Sequence, residues 1–327
     1  MNALVKGTPE YRKFHIKEMQ AWSLDQKINH SLKRIQEFYK EVDGKIYVAF
    51  SGGKDSTVLL HLVRSLYPDA VAVFSNTTNE FVEILEFIRK IPNIITVHPK
   101  MTFNETVKKF GFPLVSKKVA RMITDLRENK PTTFNTRNLY LTGFNSKGVY
   151  TPSFKLAAKW HSLIDVKFDI TSKCCDILKK EPLHRFEKES GLFPIIGTQA
   201  NEGGYRKSSW VKEGCNIINK GTNMSRPLSI WVETDIWEYI ARYSLPYSEI
   251  YDDVIDVEDG QVLIKGEVRT GCAYCAFGSH LETSSLLEKN RFERLSVRKP
   301  KQYKKMMQLK NNGVSFQEAL RKVGVNT

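Results

Sequence analysis

The stretch KIYVAFSGGKDSTVLLHLVRSL, residues 45–66, decides the fold. Lys45 to Phe50 form a short β-rich run, Ser51-Gly52-Gly53 breaks it, and a helical pattern runs from Ser56 to Leu66. Strand, glycine turn and helix in that order aim backbone N–H groups and a helix N-terminus at the turn, which favours an anion there. Gly52 and Gly53 let the backbone approach a phosphate closely. Lys54 supplies positive charge, and Ser51 and Ser56 supply hydroxyl donors. A Walker loop would place four residues between its first glycine and Gly-Lys-Ser/Thr, so this is a different phosphate loop.

The pattern continues on both sides. Upstream, Trp22, Leu24, Ile28, Leu32, Ile35 and Phe38 recur at helical spacing among Lys, Gln and Glu, which predicts an amphipathic helix ended by Asp43-Gly44. Downstream, Pro68-Asp69 turns into the apolar run AVAVF (Ala70 to Phe74), a helix starts near Glu80, and Ile94 to Val97 is a third strand. PIIGTQ (Pro194 to Gln199) reads as a later strand delivering a second glycine turn. Alternating strands and helices of this length predict an α/β fold with a parallel twisted sheet, helices on both faces and right-handed connections. The polar, turn-rich stretch from Arg127 to Thr151 reads as a surface excursion. Three parts are expected: an N-terminal helical segment over 1–44, a nucleotide-binding α/β domain over 45–250, and a basic, cysteine-containing helical region over 251–327.

The 327 residues carry 50 Lys and Arg against 36 Asp and Glu, a net charge of +14. Polyanions are therefore the expected partners, free nucleotide and nucleic acid both qualifying. From Leu281 onward there are eleven basic and four acidic residues. That tail is a candidate nucleic-acid contact, the alternative being a solvated helical face. No apolar run is long enough to span a membrane, and the N-terminus has no apolar stretch like that of a signal peptide, so a cytoplasmic protein without a membrane partner is expected. Five cysteines in such a chain argue for metal binding or thiol chemistry rather than a disulfide framework.

The six residues Ser51 to Ser56 match the SGGxDS signature of the PP-loop ATP pyrophosphatase superfamily, whose fold is that of the adenine nucleotide alpha hydrolases. The resemblance implies that ATP is split between its α and β phosphates, with Mg²⁺ shared with Asp55 and with Lys54 and Asp55 as catalytic residues. FSNTTNE (Phe74 to Glu80) resembles the adenosine-contacting NTGxE segment of the sulfonucleotide-reductase branch, with Thr78 where glycine is usual, and so implicates Ser75, Asn76 and Thr77. GTQANEGGYR resembles a loop that presents an acidic residue and an arginine to nucleotide phosphate, implicating Gly197, Thr198, Glu202 and Arg206. Arg226 to Asp252, SKKVAR (Ser116 to Arg121) and PKQY (Pro300 to Tyr303) extend the resemblance over most of the chain. It is strongest to phage and prophage proteins of the phosphoadenosine phosphosulfate (PAPS) reductase-like family.

Cys174-Cys175 and Cys272-x-x-Cys275 make two pairs. KCCDILKKEPL is similar to the stretch with which assimilatory adenylylsulfate reductases hold a [4Fe–4S] cluster, which implies Cys174, Cys175, Cys272 and Cys275 as ligands. Thiolate ligation by itself also permits zinc, and redox-active thiols without metal are a third reading. Cys215 is either an alternative ligand or a buried small apolar residue. The reductases' C-terminal ECGLH-like cysteine segment has no counterpart after Cys275, and the phosphate loop is intact. Both favour adenylation with pyrophosphate release, in sulfur transfer or nucleic-acid modification, over reduction of a sulfonucleotide. A nucleotide-responsive Fe–S regulator that binds DNA is the non-enzymatic rival, and a homodimer is compatible with all three. The seven histidines show no ligand spacing, Lys117, Lys118 and Arg121 read equally as phosphate contacts or a solvated face, and Trp231 and Trp237 read as core.

Overall fold

The structure, a computed structural model, describes residues 7–128, 134–219, 222–252, 254–257, 261–284 and 289–327. Two compact units interleave along the chain. The first comprises Met1–Asn76, Glu80–His98 and Glu181–Thr270; the second comprises Thr77–Asn79, Pro99–Lys180 and Gly271–Thr327.

The first unit begins with α1 (Pro9–Gln20) and α2 (Leu24–Glu41), then runs β1 (Ile46–Ala49), α3 (Lys54–Leu66), β2 (Ala72–Ser75), α4 (Val82–Lys90) and β3 (Ile94–Val97). After β4 (Leu114–Val115), which lies in the second unit, it resumes with β5 (Phe193–Ile196), β6 (Asn216–Ile217) and β7 (Met224–Ser225). Six strands form one sheet in the order β3-β2-β1-β5-β7-β6. All neighbours are parallel except β6, which pairs antiparallel with β7 at the edge. Val48 of β1 pairs with Ala72 on one side and Ile195 on the other. Burial of Ile46, Tyr47 and Val48 in succession is what a strand covered on both faces requires.

From β1 the chain steps outward through β2 to β3, then re-enters at β5 on the opposite side of β1. Right-handed crossovers put α3 and α4 on one face and the helix Glu181–Ser190, which leads into β5, on the other. Strand order reverses between β1 and β5, and the carboxyl ends of two such strands frame the crevice where open α/β sheets take ligands.

The N-terminal segment holds two helices, where the apolar pattern marked only α2. That helix starts at a capping box between Ser23 and Gln26. Leu24, Ile28, Ile35 and Phe38 are buried as the pattern demands, and so are Lys27 and Ser31. The Lys27 ammonium donates to both oxygens of buried Asp235, at 2.8 and 2.7 Å. Ser31 donates to the Pro227 carbonyl and accepts from Trp231 Nε1. Trp231 and Trp237 are core residues.

The second unit packs Phe112, Phe168, Phe292 and Phe316 around one another, with ring centroids 5.1–5.8 Å apart. Buried Asn311 ties this core to the backbone, donating to the Val107 and Lys108 carbonyls and accepting from Asp169 N–H. The hairpin of β8 (Val254–Val257) and β9 (Gln261–Ile264) precedes β10 (Ala276–Phe277), which lies parallel to β4 and fixes the chain just after Cys275. The excursion expected after Arg127 contains a helix, Phe134–Thr142; its residues 129–133 lie outside the described residues.

Candidate functional site

Ser51, Gly52 and Gly53 leave β1 at its carboxyl end, and α3 starts at Lys54 with Gly53 as its N-cap. Gly52 has φ +72, the left-handed region, and a Cβ there would lie 2.9 Å from the Ile84 side chain. A Cβ on Gly53 would lie 2.7 Å from Thr270 Oγ1, so a larger residue there would have to displace that hydroxyl. Ser51 N–H donates to Ser56 Oγ, and the Ser56 and Thr57 hydroxyls donate to the Gly53 carbonyl. These bonds fold the loop back on the first helical turn.

Lys54 is buried, with its ammonium 3.6 Å from Asp55 and 3.4 Å from Glu233. Burial acts to lower its pKa, but Asp55, Tyr251 and Glu233 outweigh burial and hold it above the ordinary lysine value. The Lys54 backbone N–H, one of the helix-terminal amides an anion would meet, donates to the Tyr251 hydroxyl at 2.9 Å. Tyr251 Oη also lies 3.0 Å from Thr270 Oγ1. Tyr251 falls in the stretch Arg226 to Asp252 that resembles the family, but no sequence pattern assigned it or Thr270 to the loop, since both approach from about 200 positions away in the chain.

Gly197 follows β5, and a Cβ there would stand 3.2 Å from the Asp55 carbonyl, so the two glycine turns meet. Gln199 Nε2 donates to Asp55 Oδ1 at 2.6 Å, which fixes the carboxylate. Thr198 lies between them. Glu202 accepts from the Gln199 N–H and from Arg206. Burial and the like charge of Arg269 lower the Arg206 pKa, against the pull of Asp55, so two guanidiniums share this end of the sheet with the carboxylates of Asp55 and Glu202. The first unit thus brings together Ser51, Gly52, Gly53, Lys54, Asp55, Ser56, Gly197, Thr198, Glu202 and Arg206.

Ser75 closes β2, and Asn76 N–H donates to the Val97 carbonyl. Thr77 belongs to the second unit and is buried, its hydroxyl 3.6 Å from Cys272 Sγ. Thr78 takes φ +60, the conformation for which glycine is the usual choice, and its hydroxyl accepts from Phe103 N–H at 2.8 Å. Asn79 clamps the cysteine turn: its carbonyl accepts from Ala273 N–H and its side-chain oxygen from Tyr274 N–H.

Cys174 and Cys175 open a helical turn that passes into the π-helix Asp176–Lys180, a local distortion found often at functional sites. Cys272 and Cys275 close their own turn through Cys275 N–H to the Cys272 carbonyl. Burial, followed by the charges of Cys275, Cys175 and Cys272, raises the Cys174 thiol pKa. Cys275 is pushed up to about 11 by burial and Cys272, with the Phe277 N–H and Arg291 acting in the opposite sense. All four thiols therefore lie within electrostatic reach of one another. Among the described residues no three His, Cys, Asp or Glu side chains stand in ligating geometry. In chemistry the set fits a thiolate-held metal group: four soft donors are gathered, and beside them Asn79 Nδ2 is a buried donor with no acceptor.

Cys215 is in the first unit, fully enclosed. Its sulfur accepts from Trp210 Nε1 at 3.4 Å and lies 3.7 Å from His30 Nε2.

A family profile described as the phosphoadenosine phosphosulfate reductase domain matches residues 45–131 and 114–276. An adenosine 5'-phosphosulfate reductase of Bacillus cereus is 26% identical over 229 residues, 65% of this chain and 70% of its own. The enzyme of that name in Lysinibacillus sphaericus is 22% identical over 259 residues, 78% and 83% of the two chains. A phosphoadenylyl-sulfate reductase from Candida auris, solved as a phosphate complex, aligns over 78% of this chain and 96% of its own at 16% identity and a TM-score of 0.39. The U34-tRNA thiolase NcsA from Methanococcus maripaludis, solved with its [4Fe-4S] cluster, aligns over 69% and 67% at 16% identity and a TM-score of 0.34. Among the described residues no helix is long and apolar enough to cross a membrane.

Proposed function

The chain belongs to the phosphoadenosine phosphosulfate reductase family, and from that premise we propose that it splits ATP between the α and β phosphates, adenylating an acceptor and releasing pyrophosphate. One observation carries the reading: a buried lysine held in its charged form at the first position of α3, at the β1/β5 switch point. Such a cation suits the phosphate tail of a triphosphate.

The helix N-terminus and Lys54 bind the β and γ phosphates, and Ser51 and Ser56 add hydroxyl donors. Asp55, fixed by Gln199, would hold a Mg²⁺ ion, which would supply charge stabilisation to the phosphates. Gly197 and Thr198 border the α phosphate, Arg206 oriented by Glu202 neutralises charge, and Ser75 and Asn76 face the adenosine. An acceptor oxygen bonds to the α phosphorus as the bond to the bridging α–β oxygen breaks, and pyrophosphate leaves with both electrons of that bond. The adenylated oxygen is then a leaving group for a sulfur nucleophile. The surplus of basic residues supports a nucleic-acid acceptor. Cys174, Cys175, Cys272 and Cys275 would hold a [4Fe–4S] cluster, which would supply the site that handles sulfur.

Reduction of a sulfonucleotide is the second reading, favoured by the names of the relatives above. Anaerobic product analysis separates the two. AMP and pyrophosphate from ATP in the presence of a polynucleotide acceptor support adenylation, whereas sulfite from adenylyl sulfate with no ATP consumed overturns it.

A further inference from the structure

Between Glu128 and Asp165 the second unit has five basic residues and no acidic one. The helix Phe134–Thr142 within this stretch buries none of its side chains. The hairpin that follows is firmly built. Phe144 bridges Tyr150, Thr151 N–H donates to the Gly143 carbonyl at 2.7 Å, and Asn145 Oδ1 accepts from the N–H groups of Lys147 and Val149. Gly143 has φ +88, and a Cβ there would lie 2.6 Å from the Tyr150 ring, so the bare glycine seats that ring.

Rigidity here serves exposure. Phe144, Tyr150 and Phe154 turn 46%, 51% and 48% of their surface to solvent. The first two rings lie 5.1 Å apart, and Lys118 Nζ stands 5.0 Å over the third. Lys147 and Lys155 are exposed beside them. Asp125, on the neighbouring helix Lys117–Arg127, is paired with Arg121 at 3.7 Å. Aromatic side chains that the fold leaves in water mark a surface for a partner. Fixed rings alternating with cations fit a polynucleotide, with bases stacking on the rings and phosphates meeting the ammonium groups. A duplex hides its base faces within its own stack, so the complementary partner is a single strand.

We propose that the hairpin Gly143–Thr151, with Phe154 and Lys155, is a stacking platform for single-stranded nucleic acid. This rests on the reading that the acceptor is a nucleic acid, and it assigns the contact to the second unit's excursion rather than to the basic C-terminal helices.

The test is fluorescence anisotropy without ATP, using labelled oligo(dT), oligo(U), a duplex of equal length, and polyphosphate as competitor. Wild-type protein binds the single strands more tightly than the duplex. The triple variant Phe144→Ala, Tyr150→Ala, Phe154→Ala binds them at least about tenfold more weakly with its salt dependence unchanged, since stacking is non-ionic. The pair Lys147→Ala, Lys155→Ala lowers the slope of log affinity against log salt by about 1.4, or about 0.7 for each lost phosphate contact. All five side chains are exposed, and circular dichroism checks that both variants fold. Absence of single-strand binding by wild type, equal affinity for duplex, wild-type affinity in the triple variant, or full displacement by polyphosphate each overturns the platform. So does loss of a dimer in the triple variant with oligonucleotide affinity unchanged, which would give the hairpin to a second copy. Pyrophosphate release is measured in parallel without polynucleotide, so a failure of the ATP reading registers separately.

Discussion

Thr78 shows how a departure from a family pattern becomes physical. A β-branched residue in the left-handed region costs about 1–2 kcal/mol, and the Thr78 hydroxyl recovers about 1 kcal/mol by accepting an N–H from the first turn of the helix Phe103–Phe110. Thr78→Gly removes both and stays within about 1 kcal/mol of wild type, whereas Thr78→Ala keeps the strain, loses the bond and falls by about 1 kcal/mol or more. Urea unfolding ranks them; an alanine variant more stable than the glycine variant refutes the account. Lys54 carries a pH consequence. Its folded pKa lies above its unfolded one, so its contribution is complete below the ordinary lysine value of about 10.4 and is lost only as pH rises through the higher folded value. The stability difference between wild type and Lys54→Met is therefore flat from about pH 6 to 9, and a break in that window shows the ammonium is not held as described. The strand, glycine turn and helix start around Ser51, Gly52, Gly53 and Lys54 were legible in six consecutive letters because such a turn is local. Tyr251 on the Lys54 amide and Asn79 on the cysteine turn were not, because each contact joins residues about 195 positions apart.

At the scale of elements, apolar runs located β1, β2 and β3 to within two residues and the start of β5 to within one, since strands of a covered parallel sheet are continuous apolar runs. Periodicity failed on the polar face of α2. Lys27 reads as a solvated lysine, and only the distant Asp235 makes its burial tolerable. Lys27→Met leaves that carboxylate buried and uncompensated and costs about 3–5 kcal/mol, while adding Asp235→Leu recovers much of the loss. Equal instability of the single and double variants in urea unfolding would contradict this pairing. The cysteine turns make a second element-scale case. The proposed cluster predicts that anaerobically purified protein will be brown with about four irons per chain and that the double variant Cys272→Ser, Cys275→Ser will lose both, serine being a hard and poorly ionised ligand. Asn79→Ala removes the side-chain oxygen that accepts from Tyr274 N–H in the Cys272 turn, together with the buried Nδ2 donor, and is expected to lower iron retention several-fold. Stoichiometric zinc without iron from iron-supplemented cells would reject the cluster.

On the scale of the whole molecule, the chain leaves its first unit after Asn76, after His98 and after Thr270, returning at Glu80 and at Glu181. No shift of composition marks those crossings, so a division into consecutive segments was the natural reading of the sequence. The segment after β2 carries Ser75 and Asn76 in one unit and Thr77 and Asn79 in the other, the latter two on the cysteine turn. The central claim is that the phosphate loop of the first unit is built for ATP. It is tested most directly by calorimetric titration of the intact, anaerobically prepared protein with Mg²⁺·ATP and with adenylyl sulfate. The account predicts that Mg²⁺·ATP binds, that Lys54→Ala and Asp55→Ala each weaken it at least about tenfold, and that omitting Mg²⁺ weakens wild type but not Asp55→Ala. Binding of adenylyl sulfate with no measurable affinity for Mg²⁺·ATP would contradict it.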